Sequence, residues 1–150
     1  MSNNAKTIGK KKMNHFVNRV IKQKAIGIIY NIPEPDSTIL VHNLLDDKRH
    51  IAVDAHDAYT SAMLRNRLSS MLKMKNISYS MLPSILDEKM ITVYKADVIK
   101  PSYSRVIDDF YKYKVPILFL MNSDTFMNDF RKFSAYNRVL TIEVDFTTLN

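Results

Sequence analysis

A chain of 150 residues with 46% hydrophobic and 25% charged side chains is sized and composed for one globular domain with a core of its own. It contains no cysteine, which rules out disulfides and thiolate metal sites. It has only two glycines, Gly9 and Gly27, which rules out the glycine-rich phosphate loop and the dinucleotide fingerprint. The formal charge is +7, and residues 1–24 hold the whole excess: Lys6, Lys10, Lys11, Lys12, Arg19, Lys22 and Lys24 stand there without an acid.

Residues 1–11 are polar and basic and read as a flexible tail ahead of a single domain over 12–150. From Lys12 to Lys24, Met13, Phe16, Val17, Val20 and Ile21 recur at the spacing of one helix face. That stripe should dock on the domain and leave Lys12, Arg19 and Lys22 outward. Residues 25–30 read as a strand, broken by Pro33 and Pro35. Residues 38–45 and 50–55 are rich in β-formers and read as a hairpin around Asp46-Asp47-Lys48-Arg49. Asp57 is placed to cap a helix over 58–75 whose apolar face is Leu64, Leu68, Met71 and Leu72.

Residues 77–81 read as a strand stopped by Pro83, and residues 90–96 as another. Pro101 and Ser102 open a helix that buries Tyr103, Val106, Ile107 and Phe110. Residues 115–121 are apolar on both faces, as in a central strand covered from both sides. Ser123 caps a helix with the stripe Phe126, Met127, Phe130 and Phe133, and residues 138–146 close the chain as a strand. The expected fold is α/β: a single three-layer domain with a mixed β-sheet, an N-terminal amphipathic helix and a β-α-β-α-β second half.

Three groups of residues could carry chemistry. On a strand, His50, Asp54 and His56 share one face, with His42 on the expected partner strand, and imidazole with carboxylate suits a divalent metal. Asp97 and Asp124 follow other strands and could reach the same sheet edge, although Ser123, Asp124 and Asp57 also serve simply as caps or loop residues. Tyr111 and Tyr113 alternate with Lys112 and Lys114, a pattern that stacks on bases; the helix dipole alone also favours those lysines.

The order helix, three-strand meander, helix, strand over residues 12–81 resembles the core of restriction-endonuclease-like folds. That family's Pro-Asp and Asp/Glu-x-Lys are matched by Pro35-Asp36 and Asp46-Asp47-Lys48. Asp46 and Lys48 fall in the expected hairpin loop, whereas the family holds its acid and lysine on a strand. The resemblance implies a nuclease; the enzymatic alternative drawn from the residues themselves is a metal-dependent nuclease or phosphoesterase, using Mg²⁺, with Asp36, Asp54 and His56 as the metal ligands.

The leading expectation is different: a small nucleic-acid-associated protein that grips the phosphate backbone of DNA or RNA. Lys10, Lys11, Lys12, Arg19, Lys22 and Lys24 would make the contacts, with no cofactor. Competing readings of the arm are a plain solvated helix and adsorption to anionic lipid. A non-catalytic assembly module is a further alternative. No apolar run approaches the roughly 18 residues of a membrane span, and the N-terminus lacks the apolar stretch of a secretory signal. A cytoplasmic protein is therefore expected. The many Lys, Asn, Ile and Met residues suit an AT-rich genome, as of a phage acting in its host's cytoplasm.

Overall fold

Helix α1 (Ser2–Gln23) begins the chain, and its apolar stripe explains why it is a helix at all. Met13, Phe16, Val17 and Val20 are buried and Ile21 is partly so, whereas Lys12, Asn14, His15, Asn18, Arg19 and Lys22 are exposed. The structure, a computed structural model, describes the backbone of residues 2–46 and 48–149; the side chains of residues 1–11, 35, 38, 41, 44–47, 149 and 150 lie outside that description. Lys24, in the left-handed region at φ 51°, ends the helix. The Ala25 N–H bonds the Val20 carbonyl at 3.2 Å and the Lys24 N–H bonds that of Ile21 at 3.3 Å, a Schellman-type stop.

The chain then alternates strand and helix: β1 (Ile26–Tyr30), α2 (Glu34–Asp46), β2 (His50–Asp54), α3 (Ser61–Met71), α4 (Leu82–Leu86), β3 (Met90–Tyr94), α5 (Tyr103–Lys112), β4 (Ile117–Leu120), α6 (Asp124–Phe130) and β5 (Thr141–Asp145). The strands form one sheet in the order β2-β3-β4-β1-β5, and every pairing is parallel. Ile26 stands opposite Ile117 on one side and Thr141 on the other.

Period-two alternation divides the core. Ile26, Ile28, Ile91, Val93, Ile117 and Phe119 face the layer of α3, α4, α5 and α6. Ile29, Met90, Leu118, Leu120 and Ile142 face α1, with Leu40 of α2 packed alongside. From β1 the chain crosses in one direction to the far edge at β2, then returns strand by strand to β5. Right-handed crossovers therefore put α2 on one face and the later helices on the other. The three-layer α/β domain expected from the sequence is present.

The sheet is not mixed, and the first-half meander does not exist. Residues 38–45 belong to α2, so no hairpin surrounds 46–49 and His42 is helical. The β-branched run favours a strand locally, but β1 and β2 are parallel and three positions apart, and only a crossover can join them. The Ser37 N–H bonds the Pro33 carbonyl at 2.7 Å, closing the first turn of α2 across Pro35. Residues 77–81 are not a strand either. Ile77 and Tyr79 are buried between exposed Ser78 and Ser80, which imitates strand periodicity, but the segment ends in a 3₁₀ turn (Tyr79–Met81), and Pro83 opens α4. Thr60, not Asp57, caps α3, its Oγ1 accepting from the Met63 N–H at 3.2 Å. The endonuclease-like order of elements is lost with the meander.

Helix α1 approaches the sheet closely at Gly27. A Cβ placed there would stand 2.6 Å from Val20 Cγ2 and 3.1 Å from Leu118 Cδ1. Gly27→Ala should therefore cost about 1–3 kcal/mol by overpacking. Adding Val20→Ala should relieve the clash, so that in urea unfolding the double variant loses at least about 0.5 kcal/mol less than the two singles summed. Strict additivity would mean that α1 does not press on β1 at this point.

Candidate functional site

The basic segment becomes a fixed surface because its helix is anchored on the other side. Each fully buried aliphatic or aromatic side chain of the stripe contributes about 1.5–3 kcal/mol. Lys12, Arg19, Lys22 and Lys24 are exposed on the outer side, and among the described residues none of them forms an ion pair. Lys10 and Lys11 have side chains outside the described residues. Arg49, read from sequence as a loop residue, reaches the same helix: Nη1 donates to Asn18 Oδ1 and Nη2 to Asn14 Oδ1, both at 2.6 Å. Asn14 and Asn18 are one turn apart, so one planar guanidinium staples the α1 flank to the start of β2. No sequence pattern announces this contact, because it joins residues 31 and 35 positions apart.

The carboxyl edge of the sheet is the other place to look. In open α/β sheets ligands bind where outgoing connections diverge to opposite faces, here between β1 and β4. Internal bonds fill this corner. Asp97, just beyond β3, accepts from the backbone N–H of Asn122 at 2.8 Å and of Ser123 at 3.1 Å, and from the Ser123 hydroxyl at 2.9 Å. The Ser123 Oγ in turn accepts from the Phe126 N–H at 3.1 Å and caps α6, as its sequence position indicated. The Asn122 amide donates to the Glu34 carboxylate at the start of α2. On the other side, Asn31 adopts φ 61° and donates to Asp145 at 3.2 Å. Hydrogen bonds from Thr147 and Asn31 hold the Asp145 carboxyl below its usual range.

This corner is unsuited to phosphate. The β1–α2 connection is residues 31–33, too short to wrap an anion. Pro33 and Pro35 have no N–H to offer, and Glu34 and Asp36 put two carboxylates in the first turn of α2. A helix start of that kind repels the ligand that such starts otherwise bind.

The three metal ligands expected from the sequence, Asp36, Asp54 and His56, are not all brought together. Asp54 and His56 do meet: Asp54 Oδ1 accepts from the His56 N–H at 2.9 Å and lies 3.1 Å from His56 Nδ1. That carboxylate caps the 3₁₀ turn Ala55–Asp57. Asp36 stands in the first turn of α2 just beyond β1, and β1 lies three strand spacings, roughly 14 Å, from β2. His50 is buried, with Nδ1 2.7 Å from Thr92 Oγ1 inside the sheet. Among the described residues no group of three or more His, Asp or Glu side chains could hold a metal ion. Asp97 serves as the inter-strand clasp already described. At the end of α5, Lys112 lies over the Tyr113 ring at 5.3 Å, so this pair is satisfied within the chain.

No family model matches the sequence, and no curated protein matches it. Among solved structures, a chain in the structure of Drosophila ORC bound to AT-rich DNA and Cdc6 superposes with a TM-score of 0.58 at 11% identity. The match covers 94% of this chain but only 28% of that one, so this chain spans little more than a quarter of its neighbour's length. At that identity the likeness is one of fold. No described helix is long and apolar enough to cross a membrane.

The Asp97 clasp makes a direct prediction. Asp97→Ala would strip three hydrogen bonds from one carboxylate and orphan two backbone N–H groups at the β4–α6 junction. The expected loss is about 2–4 kcal/mol in chemical denaturation. A loss below about 1 kcal/mol would show that Asn122 and Ser123 are held by something else.

Proposed function

We propose that this protein binds nucleic acid through the outer face of α1, gripping the phosphate backbone without reading sequence. The observation that carries the proposal is the division of labour on one helix. Met13, Phe16, Val17 and Val20 are locked into the core, while Lys12, Arg19, Lys22 and Lys24 stand exposed with no acid in residues 1–24. A rigid ridge of cations presents its charge without the ordering cost of a loose tail. Lys10 and Lys11 continue the series in sequence. The neighbour in the ORC structure belongs to a DNA-bound assembly, which favours DNA over RNA as the first ligand to test. Phosphate contacts of this kind supply affinity and orientation but no base discrimination.

Binding should fall steeply with salt. Six lysine and arginine contacts give a slope of about −5 in log K against log salt, so raising salt from 50 to 200 mM costs roughly a thousandfold. Replacing Lys10, Lys11, Lys12, Arg19, Lys22 and Lys24 with Gln should abolish the binding of a 30-base-pair duplex in fluorescence anisotropy. The circular dichroism melt should stay in place, because the buried stripe is untouched. Unchanged affinity in that variant would sink the proposal.

A further inference from the structure

A second cationic surface lies on the opposite side of the molecule. Residues 58–86 contain Arg65, Arg67, Lys73 and Lys75 and no acid. All four are exposed, on α3 and the turn that follows it. α3 is anchored as α1 is, by buried Leu64 and Leu68 on its inner face. Arg65 is also pre-positioned, its guanidinium carbon 4.8 Å from the centre of the buried Tyr79 ring. A guanidinium laid on a ring keeps its N–H edge available for a phosphate oxygen. Asp109 of α5 acts on the same tyrosine, as does Arg65, and Arg67 acts on Tyr94 near Asp54 and Asp57. Even so, among the described residues no ion pair involves any of the four cations, whereas Arg131 pairs with Glu143 at 2.8 Å and Arg138 with Asp108 at 2.6 Å.

The two basic faces cannot serve one duplex. α1 packs on Ile29, Leu118 and Leu120, and α3 packs in the cluster of Ile28, Ile117 and Phe119, the alternate residues of the same strands. The helices therefore lie on opposite faces of the sheet. Two layer spacings place their axes about 20 Å apart, and side chains add about 5 Å on each side. The α1 cations lie off a stripe buried against one face of the sheet, and the α3 cations off a pair of leucines buried against the other.

Resting on the α1 reading above, we propose that α3 and its following turn form a second phosphate-backbone site for duplex DNA, and that one monomer therefore bridges two DNA segments. The ligand is fixed by charge complementarity: a polyanion whose phosphates repeat along a rod can meet cations spread over both flanks of a helix and the turn after it. The α1 face takes one duplex and the α3 face another, with the sheet as the spacer between them.

The test is a sandwich assay with the full chain. A biotinylated 30-base-pair duplex is fixed on beads, and retention of a second, fluorescent duplex is measured with and without protein. Wild type should retain it at protein concentrations where mass photometry shows a monomer. The variant Arg65→Gln, Arg67→Gln, Lys73→Gln, Lys75→Gln should keep its affinity for a single duplex within about threefold and lose retention at least tenfold. Its circular dichroism melt is recorded alongside, and Arg65→Lys, Arg67→Lys should restore most of the retention when the two lysines are left native. Single-duplex binding without retention by wild type would overturn the bridging site alone, as would full retention by the α3 variant or retention only by a dimer. Retention of duplex RNA but not DNA would overturn the choice of ligand. No binding of a single duplex by wild type would instead remove the α1 reading on which this site rests.

Discussion

The contact between α1 and the sheet at Gly27 governs most of what else the molecule can do. An all-parallel sheet must be covered on both faces. The return path from β2 to β5 stacks its helices on one side, so the other face is covered by α1 and α2, with Phe146 packed alongside. Without the α1 stripe, Ile29, Leu118, Leu120 and Ile142 would lose their cover. Val20 comes so near the β1 backbone that the strand position beneath it has no side chain. The arm is therefore part of the core on one side and part of the surface on the other. Deleting it and neutralising it are different perturbations, the first of folding and the second of surface charge.

The sequence carried the second half of the fold almost completely. Val115 through Met121 is apolar on both faces because β4 is the central strand, with neighbours on both sides and helices above and below. The Ser123 cap and the Tyr103, Val106, Ile107, Phe110 face of α5 were legible for equally local reasons. The failures share a cause. Residues 38–45 look like a strand to any local rule, but topology demands a crossover there, and topology is not local. Ile77 and Tyr79 alternate with serines as a strand would, yet they pack among the helices of the core cluster and end in a 3₁₀ turn. The candidate site divides the same way. The outward cations of α1 follow from periodicity alone. The Arg49 staple and the Asp97–Asn122 clasp depend on which segments become neighbours, and nothing in residue order states that.

The place where open α/β sheets usually bind ligands is filled here by the chain's own side chains. The diverging corner between β1 and β4 is closed by Glu34, Asn122, Asp97 and Ser123 bonding to one another. The start of α2 is acidic and partly stripped of N–H donors. Acidic side chains stand at this sheet edge, whereas the exposed flank of α1 carries Lys12, Arg19 and Lys22.

The placement of α1 also sets an order of events during synthesis. Its stripe is complete once Ile21 is made, but Leu118, Leu120 and Ile142, against which it packs, come about a hundred residues later. At roughly 5–20 residues per second that interval is on the order of 5–25 seconds. Throughout it, Phe16, Val17 and Val20 have no sheet to cover. The lysines and arginine around them then act as gatekeepers, keeping the waiting helix soluble by mutual repulsion until the last strand arrives.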